Sequence, residues 1–234
     1  GTILKARNII GAFNPDSKKR VMLCAHWDSR PYADYDADPN NHKKPIDGAN
    51  DGASGVGVLL EIARQIQKQA PAIGIDIIFF DAEDYGTPDW HRGSYKPHDW
   101  CLGSQYWGRA PHIPGYFARY GILLDMVGDP SATFPREYIS ATYAGSYLEQ
   151  IWRTAARLGY SRYFVQQAAY PITDDHYYIN TIAGIPCVDV IDYKPNTETG
   201  FADWWHTQRD NMQNINHQTL QAVGETILTT ICSK

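Results

Sequence analysis

Short apolar segments with the composition of strands recur along the chain, and they constrain its fold more than any other feature. They are "RVMLCAHWD" (20–28), "IDIIFF" (75–80), "YGILLDMVG" (120–128) and "IPCVDVID" (185–192). Continuous apolar runs of this length are typical of strands buried on both faces. The sequence therefore predicts a strand at each of these four places.

Three further segments have helical periodicity: "GVGVLLEIARQIQKQ" (55–69), "YLEQIWRTAARLG" (147–159) and "LQAVGETILTTIC" (220–232). Strands that alternate with helices indicate the α/β class, with a twisted, mostly parallel sheet flanked by helices. The 234 residues lie at the upper end of one ordinary domain, and no repeat or linker divides them. We therefore expect a single domain over residues 1–234.

The overall charge and the cysteine spacing exclude several functional classes. A net charge of −5 argues against a nucleic-acid partner, which requires a basic face. No run approaches the roughly 18 apolar residues that would span a bilayer. The four cysteines are far apart and form no CxxC pair, so we expect neither a zinc–thiolate site nor a disulfide-rich scaffold; they are Cys24, Cys101, Cys187 and Cys232.

Long polar segments follow the predicted strands, at 29–54, 84–101 and 193–216. Loops of this length in a compact domain are usually functional. In open α/β sheets, ligands bind outside the carboxyl ends of the strands. We therefore expect the site among the side chains that end these strands and fill these loops.

Acids and histidines are concentrated at those places. The strand ends carry His26, Asp28, Asp81, Glu83, Asp84, Asp125 and Asp189, and the loops add Asp51, Asp174, Asp175, His176 and His206. Three carboxylates within 81–84 would repel one another unless a cation lay among them. Zinc accepts oxygen and nitrogen ligands, and a catalytic zinc site keeps one position open. Two carboxylates and one imidazole would suit it and leave a neighbouring acid to carry protons.

Taken singly, these residues have ordinary explanations. An acid at a strand end often caps a helix or solvates a loop, which applies to Asp28, Asp47, Asp81, Asp129 and Asp192. Asp51 could serve simply as the N-cap of the helix that follows it. The chain has no G-x-S-x-G nucleophile elbow and no phosphate-binding loop. The joint occurrence of the acids and histidines is what favours a metal site.

Five motifs, in this order, resemble those of the zinc aminopeptidase superfamily: "HWDS", "NDGASG", "ED", "LLDM" and "WHTQRDN". The resemblance spans roughly residues 20–212. Within the superfamily the chain is most similar to glutaminyl cyclases, which have an acid at Asp174 in "TDDH" and a tryptophan, here Trp205, before the final histidine. The segment "CLGSQYW" is similar to another cyclase element.

The resemblance implies one zinc ion per chain, bound by Asp51, Asp84 and His206. It implies that Glu83 acts as general base and acid, with Asp125 and Asp174 in a proton-handling network. Trp205 and Asp189 would contact the substrate, a peptide or protein with an N-terminal glutamine. Trp90 and Trp100 are further candidates for the pocket wall.

Two departures from animal cyclases concern Asp84, where these usually have glutamate, and Asp189, where they usually have histidine. They indicate a bacterial member, for which the resemblance implies a periplasmic or secreted location. The segment "GTILKARN" has no signal-peptide pattern.

Two other functions are compatible with parts of this pattern. The chain keeps all five ligand positions of a two-zinc aminopeptidase: His26, Asp51, Asp84, Asp125 and His206. A metal-stabilised binding module without activity is a third alternative. Glu83 argues against it, because this acid is not needed to bind the metal.

Overall fold

A five-stranded sheet runs through the middle of the protein. The computed structural model describes residues 3–69, 71–94, 96 and 98–232. These residues form seven strands: β1 (Ile9–Phe13), β2 (Arg20–His26), β3 (Gly74–Phe80), β4 (Gly121–Asp125), β5 (Phe134–Arg136), β6 (Phe164–Ala168) and β7 (Cys187–Ile191). The main sheet has the order β1-β3-β2-β4-β7, and β5 pairs with β6 in a small separate sheet. The predicted α/β fold with a mostly parallel sheet is confirmed, and four of the strands are the predicted ones.

Helices lie on both faces of the main sheet. They are α1 (Ala53–Lys68), α2 (Leu102–Arg109), α3 (Tyr138–Arg157), α4 (Asp175–Tyr178) and α5 (His217–Cys232). A π-helical turn, Ile179–Ala183, continues α4. The three helices predicted from periodicity are confirmed as α1, α3 and α5. Helix α3 begins earlier than predicted because the carboxylate of Glu137 caps it, accepting the N–H groups of Ile139 and Ser140.

The alternation of side chains along each strand divides the core into two parts. In β2, Leu23 packs with α1, α3 and α5 on one face, and Cys24 packs on the other face with Trp107 of α2. Burial on both faces explains why the four predicted strands read as continuous apolar runs. Cys24 and Cys187 are free and buried, as small hydrophobic residues are.

The edge strand β1 was not predicted from the sequence. It pairs antiparallel with β3, and its residues, "IIGAF", are apolar but exposed or only partly buried. Strands β3, β2, β4 and β7 are mutually parallel. Their carboxyl ends therefore meet at one edge of the sheet. Among the described helices, none has both the length and the apolar character needed to cross a bilayer.

Candidate metal centre

Three buried side chains from distant segments converge at the carboxyl edge of the sheet: Asp51, Asp84 and His206. The Nε2 atom of His206 lies 3.1 Å from Asp84 Oδ1 and 3.3 Å from Asp51 Oδ2. Ligands of a tetrahedral zinc ion at its usual bond lengths are about 3.3 Å apart. Two carboxylate oxygens here, Asp51 Oδ2 and Asp84 Oδ2, are buried without a hydrogen-bond partner among the described residues. The geometry and these unpaired oxygens fit a zinc ion.

Asp51 is held in place by the turn that precedes α1. The main-chain N–H groups of Asn50 and Asp51 donate to the carboxylate of Asp210, at 2.8 Å and 3.1 Å. The next residue, Gly52, has φ +90°, and a Cβ atom there would lie 2.8 Å from the His26 ring. Gly52 is itself the N-cap of α1, so Asp51 does not cap the helix. Its carboxylate is thereby left for the site.

The turn after β3 presents Glu83 and Asp84. Both main-chain N–H groups donate to the carboxylate of Asp28, each at 3.0 Å. Ala82 has φ +56°, a left-handed conformation that is costly for a residue with a side chain. Asp28, which has an ordinary explanation when read from sequence, thus orients a candidate metal ligand and its neighbour.

His206 lies between aromatic rings and a carboxylate. Its ring stacks on that of Trp205, with centroids 3.5 Å apart, and is parallel to Trp100 at 6.1 Å. Its Nδ1 atom is 3.7 Å from Asp34 Oδ1. A carboxylate on the far side of a metal-binding imidazole fixes the ring and its tautomer. Sequence reasoning missed Asp34, because nothing in the long loop 29–54 marks it as a partner of a residue so far along the chain.

A second group of possible ligands shares Asp51. The Nε2 atom of His26 lies 3.1 Å from both Asp51 Oδ1 and Asp125 Oδ1. Burial alone would lower the pKa of His26, but hydrogen bonds and charges from Asp125, Asp28 and Asp51 outweigh it and raise this pKa well above its usual value. The carboxylates around His26 therefore favour its protonated form.

A cavity of about 80 Å³ opens beside the three candidate ligands. Its acidic wall contains Glu83, Asp125 and Asp174, and its aromatic wall contains Trp100, Phe201 and Trp205. The structure thus brings together the residues expected to handle protons with Trp205 and the three ligands. Trp90 instead packs edge-on against Tyr32, 5.2 Å away.

Burial and mutual repulsion raise the pKa values of the acidic wall. The pKa of Asp174 rises to about 7, through burial and the charge of Asp125. The pKa of Asp125 rises to about 6 through burial, although its hydrogen bond to His26 opposes the shift. Burial, together with the charges of Asp84 and Asp174, raises the pKa of Glu83 well above its usual value. Acids perturbed in this way are suited to exchange protons near neutral pH.

Asp189, which was predicted to contact the substrate, lies behind the residues that line the cavity. It points away from the face on which Val188 and Val190 pack, is fully buried, and does not line the cavity. Its Oδ2 atom is 3.4 Å from Nδ1 of His176, whose Nε2 atom is 3.1 Å from Glu137 Oε2. Asp189 thus lies beneath the acidic wall and is not among the residues that line the cavity.

Comparison with known proteins identifies the family of the chain. The profile described as "Peptidase family M28" matches residues 8–231. The chain belongs to this family. Its M28 fold is shared with a Tannerella forsythia glutaminyl cyclase, at 58% identity and a TM-score of 0.98, over 100% of this chain and 80% of that one. A Zn-dependent exopeptidase from Parabacteroides distasonis has 57% identity and a TM-score of 0.98 with the same coverage.

A curated relative of this M28 chain is the bovine glutaminyl-peptide cyclotransferase. The two are 28% identical over an alignment of 249 positions, which covers 93% of this chain and 63% of the bovine protein. The chain therefore spans less than two thirds of the length of this relative.

Proposed function

We propose that the protein converts the N-terminal glutamine of peptides or proteins to pyroglutamate, with release of ammonia, using one bound zinc ion. The observation that carries the proposal is the position of Asp174 in the cavity wall. Its carboxylate, that of Glu83 and the thiol of Cys101 all lie within 4.8 Å of one another, beside the candidate ligands. The likeness to the Tannerella forsythia glutaminyl cyclase and to the bovine cyclotransferase supports the same reaction.

The reaction needs one proton to move between two nitrogen atoms of the substrate. The α-amino nitrogen forms a bond to the side-chain amide carbon, and the bond from that carbon to the amide nitrogen breaks. Glu83 would accept a proton from the attacking amine and donate it to the departing nitrogen, which leaves as ammonia. Asp174 would orient the nitrogen atoms, and Asp125 helps to keep the pKa of Asp174 high.

Held by Asp51, Asp84 and His206, zinc would supply Lewis-acid polarisation of the amide carbonyl. The aromatic wall has a different role. Trp100, Phe201 and Trp205 make one side of the cavity apolar, which limits access of water to the reacting carbon. Because nucleophile and carbonyl belong to one residue, the protein has only to fold the glutamine into the right conformation.

A two-zinc aminopeptidase is the second candidate, favoured by the His26, Asp51 and Asp125 group. In that function Glu83 would activate a water molecule to cleave the first peptide bond. The cyclase is favoured by Asp174 in the cavity wall and by Trp205, which stacks on His206.

One assay separates the two functions. The protein is incubated with a dipeptide that begins with glutamine and, separately, with leucine amide. We expect ammonia from the dipeptide, and a product lighter by one ammonia, while leucine amide stays intact. Cleavage of leucine amide, with the glutamine dipeptide hydrolysed at its peptide bond, would assign the aminopeptidase function. Metal analysis should give one zinc per chain.

We also propose that the protein acts in the periplasm or outside a bacterial cell. The support is the sequence itself: the departures from animal cyclases at Asp84 and Asp189 indicate a bacterial member, and the resemblance implies such a location for bacterial members. Cell fractionation with an antibody against this chain tests the location, and recovery with a cytoplasmic marker would contradict it.

A further inference from the structure

A buried ion pair, Arg30 and Asp34, lies next to the candidate metal centre. Arg30 Nε donates to Asp34 Oδ1 at 2.8 Å, and Arg30 Nη2 donates to Asp34 Oδ2 at 2.6 Å. The two residues are 1% and 4% exposed. Both belong to the polar loop 29–54, and neither was singled out in the sequence.

Each member of this pair reaches a different metal ligand. Arg30 Nη1 donates to the main-chain oxygen of Asp84 at 2.8 Å. Asp34 Oδ1 lies 3.7 Å from Nδ1 of His206, an atom that is buried and has no hydrogen-bond partner among the described residues. The pair therefore contacts two of the three candidate ligands from outside.

The same pair also fixes the wall of the cavity. The guanidinium of Arg30 lies over the ring of Trp100, 4.5 Å from its centroid. Asp34 Oδ2 accepts the main-chain N–H of Asp89 at 2.9 Å, so the loop that carries Trp100 is attached to the pair at a second point. A planar guanidinium can make an in-plane pair and a stacking contact at once, which a lysine cannot.

We propose that Arg30 and Asp34 are positioning residues for zinc. Asp34 directs the Nδ1–H group of His206 away from the site, which leaves Nε2 as the ligand atom. Arg30 holds the main chain of Asp84 at the distance at which its carboxylate faces His206. The inference rests on the metal site in the proposed function, and it is independent of which reaction the site catalyses.

A second buried pair offers a matched control. Arg20 Nε and Nη2 donate to Asp76 at 2.7 Å and 2.5 Å, at the opposite end of β2 and β3. This pair contacts none of the candidate ligands. Breaking either buried pair leaves an uncompensated charge and should lower stability. Only the Arg30–Asp34 pair should also affect zinc binding.

The experiment compares Asp34→Asn with Asp76→Asn in the full chain. Zinc affinity is measured by competition with a chelator, without substrate, and thermal unfolding is followed with and without zinc. Loss of a partner behind a ligand typically weakens metal binding by about 10- to 100-fold. We expect a loss of that size for Asp34→Asn, a smaller rise in melting temperature on adding zinc, and unchanged zinc affinity for Asp76→Asn.

Equal zinc affinities in Asp34→Asn and wild type would overturn the proposal. If Asp34→Asn does not fold, the double variant Arg30→Gln/Asp34→Asn removes both charges and leaves neither unpaired. Its zinc affinity must then fall as well, and wild-type affinity would overturn the proposal equally. Since no substrate is used, a protein that binds zinc in this way but does not cyclise glutamine would refute the proposed function alone.

Discussion

The role of Glu83 can be isolated because only its carboxylate needs to change. Glutamine at position 83 has nearly the same shape but cannot accept and return a proton. The main-chain N–H of Glu83 would still donate to Asp28, and Asp84 would keep its place beside His206. The Cys101 thiol, 3.1 Å from Glu83 Oε1, can still donate to the amide oxygen. The variant Glu83→Gln should therefore fold and bind zinc.

The expected loss of rate follows from that single lost function. Proton transfer by a positioned side chain contributes about 10²- to 10⁴-fold to a rate. This corresponds to about 3–5 kcal/mol of transition-state stabilisation. Because the metal ligands and the aromatic wall are retained, the loss should appear in kcat, with little change in KM.

The assay follows ammonia release from a glutamine dipeptide at saturating substrate, with zinc content measured on the same samples. Asp81→Asn is the matched control, since Asp81 follows the same strand but its carboxylate accepts the main-chain N–H of Arg7, outside the cavity. It should keep wild-type kcat. A zinc-loaded Glu83→Gln variant with a rate close to wild type would refute the proton-transfer argument. Loss of zinc from that variant would instead refute the claim that Glu83 is not a ligand.

Three further outcomes are expected. Cys101→Ala should lower kcat several-fold, because it removes the hydrogen bond to Glu83 and a lost hydrogen bond costs about 1 kcal/mol. Cys101→Ser can still donate this bond and should restore kcat. Equal rates in the two variants would contradict this role of Cys101. Burial alone would raise the pKa of Glu137, but His176 and the hydrogen bonds from main-chain N–H groups outweigh burial and hold this pKa at about 2. Stability from Glu137 is therefore complete above its ordinary pKa and is lost as pH falls toward 2, so Glu137→Gln should flatten melting temperature against pH in this range. Leu123→Ala, at a fully buried site in β4, should cost about 2–5 kcal/mol and lower the melting temperature by about 5–15 °C in thermal unfolding.

The parts of the fold that the sequence predicts are those in which burial dictates the pattern. Strands β2, β3, β4 and β7 are covered on both faces and read as apolar runs. Strand β1 lies at the edge of the sheet and is exposed along much of its length, and its short segment "IIGAF" was not predicted as a strand. Helix α2 has eight residues and begins after Cys101, whose φ of +56° gives no signal in the sequence.

The residues of the candidate site also differ in how well the sequence predicts them. Residues that bind metal or exchange protons stand out, because acids and histidines at strand ends are costly without a function. The positioning roles of Asp28, Asp34 and Asp210 do not, because these residues act through contacts with segments 55 to 172 positions away. Asp189 also stood out in the sequence, but its burial behind the cavity wall did not, because alternation along β7 decides which face it occupies.

The strained turns at this edge of the sheet gather carboxylates whose charges must be balanced. Left-handed conformations at Ala82, Cys101, Met126 and His206 surround the site, and each costs on the order of 1–3 kcal/mol. The turns bring Asp51, Glu83, Asp84, Asp125 and Asp174 into one cavity wall, with His206 as the lining histidine. Carboxylates gathered there repel one another unless cations or bound protons compensate them. A zinc ion at Asp51, Asp84 and His206, an imidazolium at His26, and a proton shared by the remaining acids would together supply that compensation. Metal binding and proton storage are therefore two consequences of one arrangement, and removing zinc should raise the proton affinity of every acid around it.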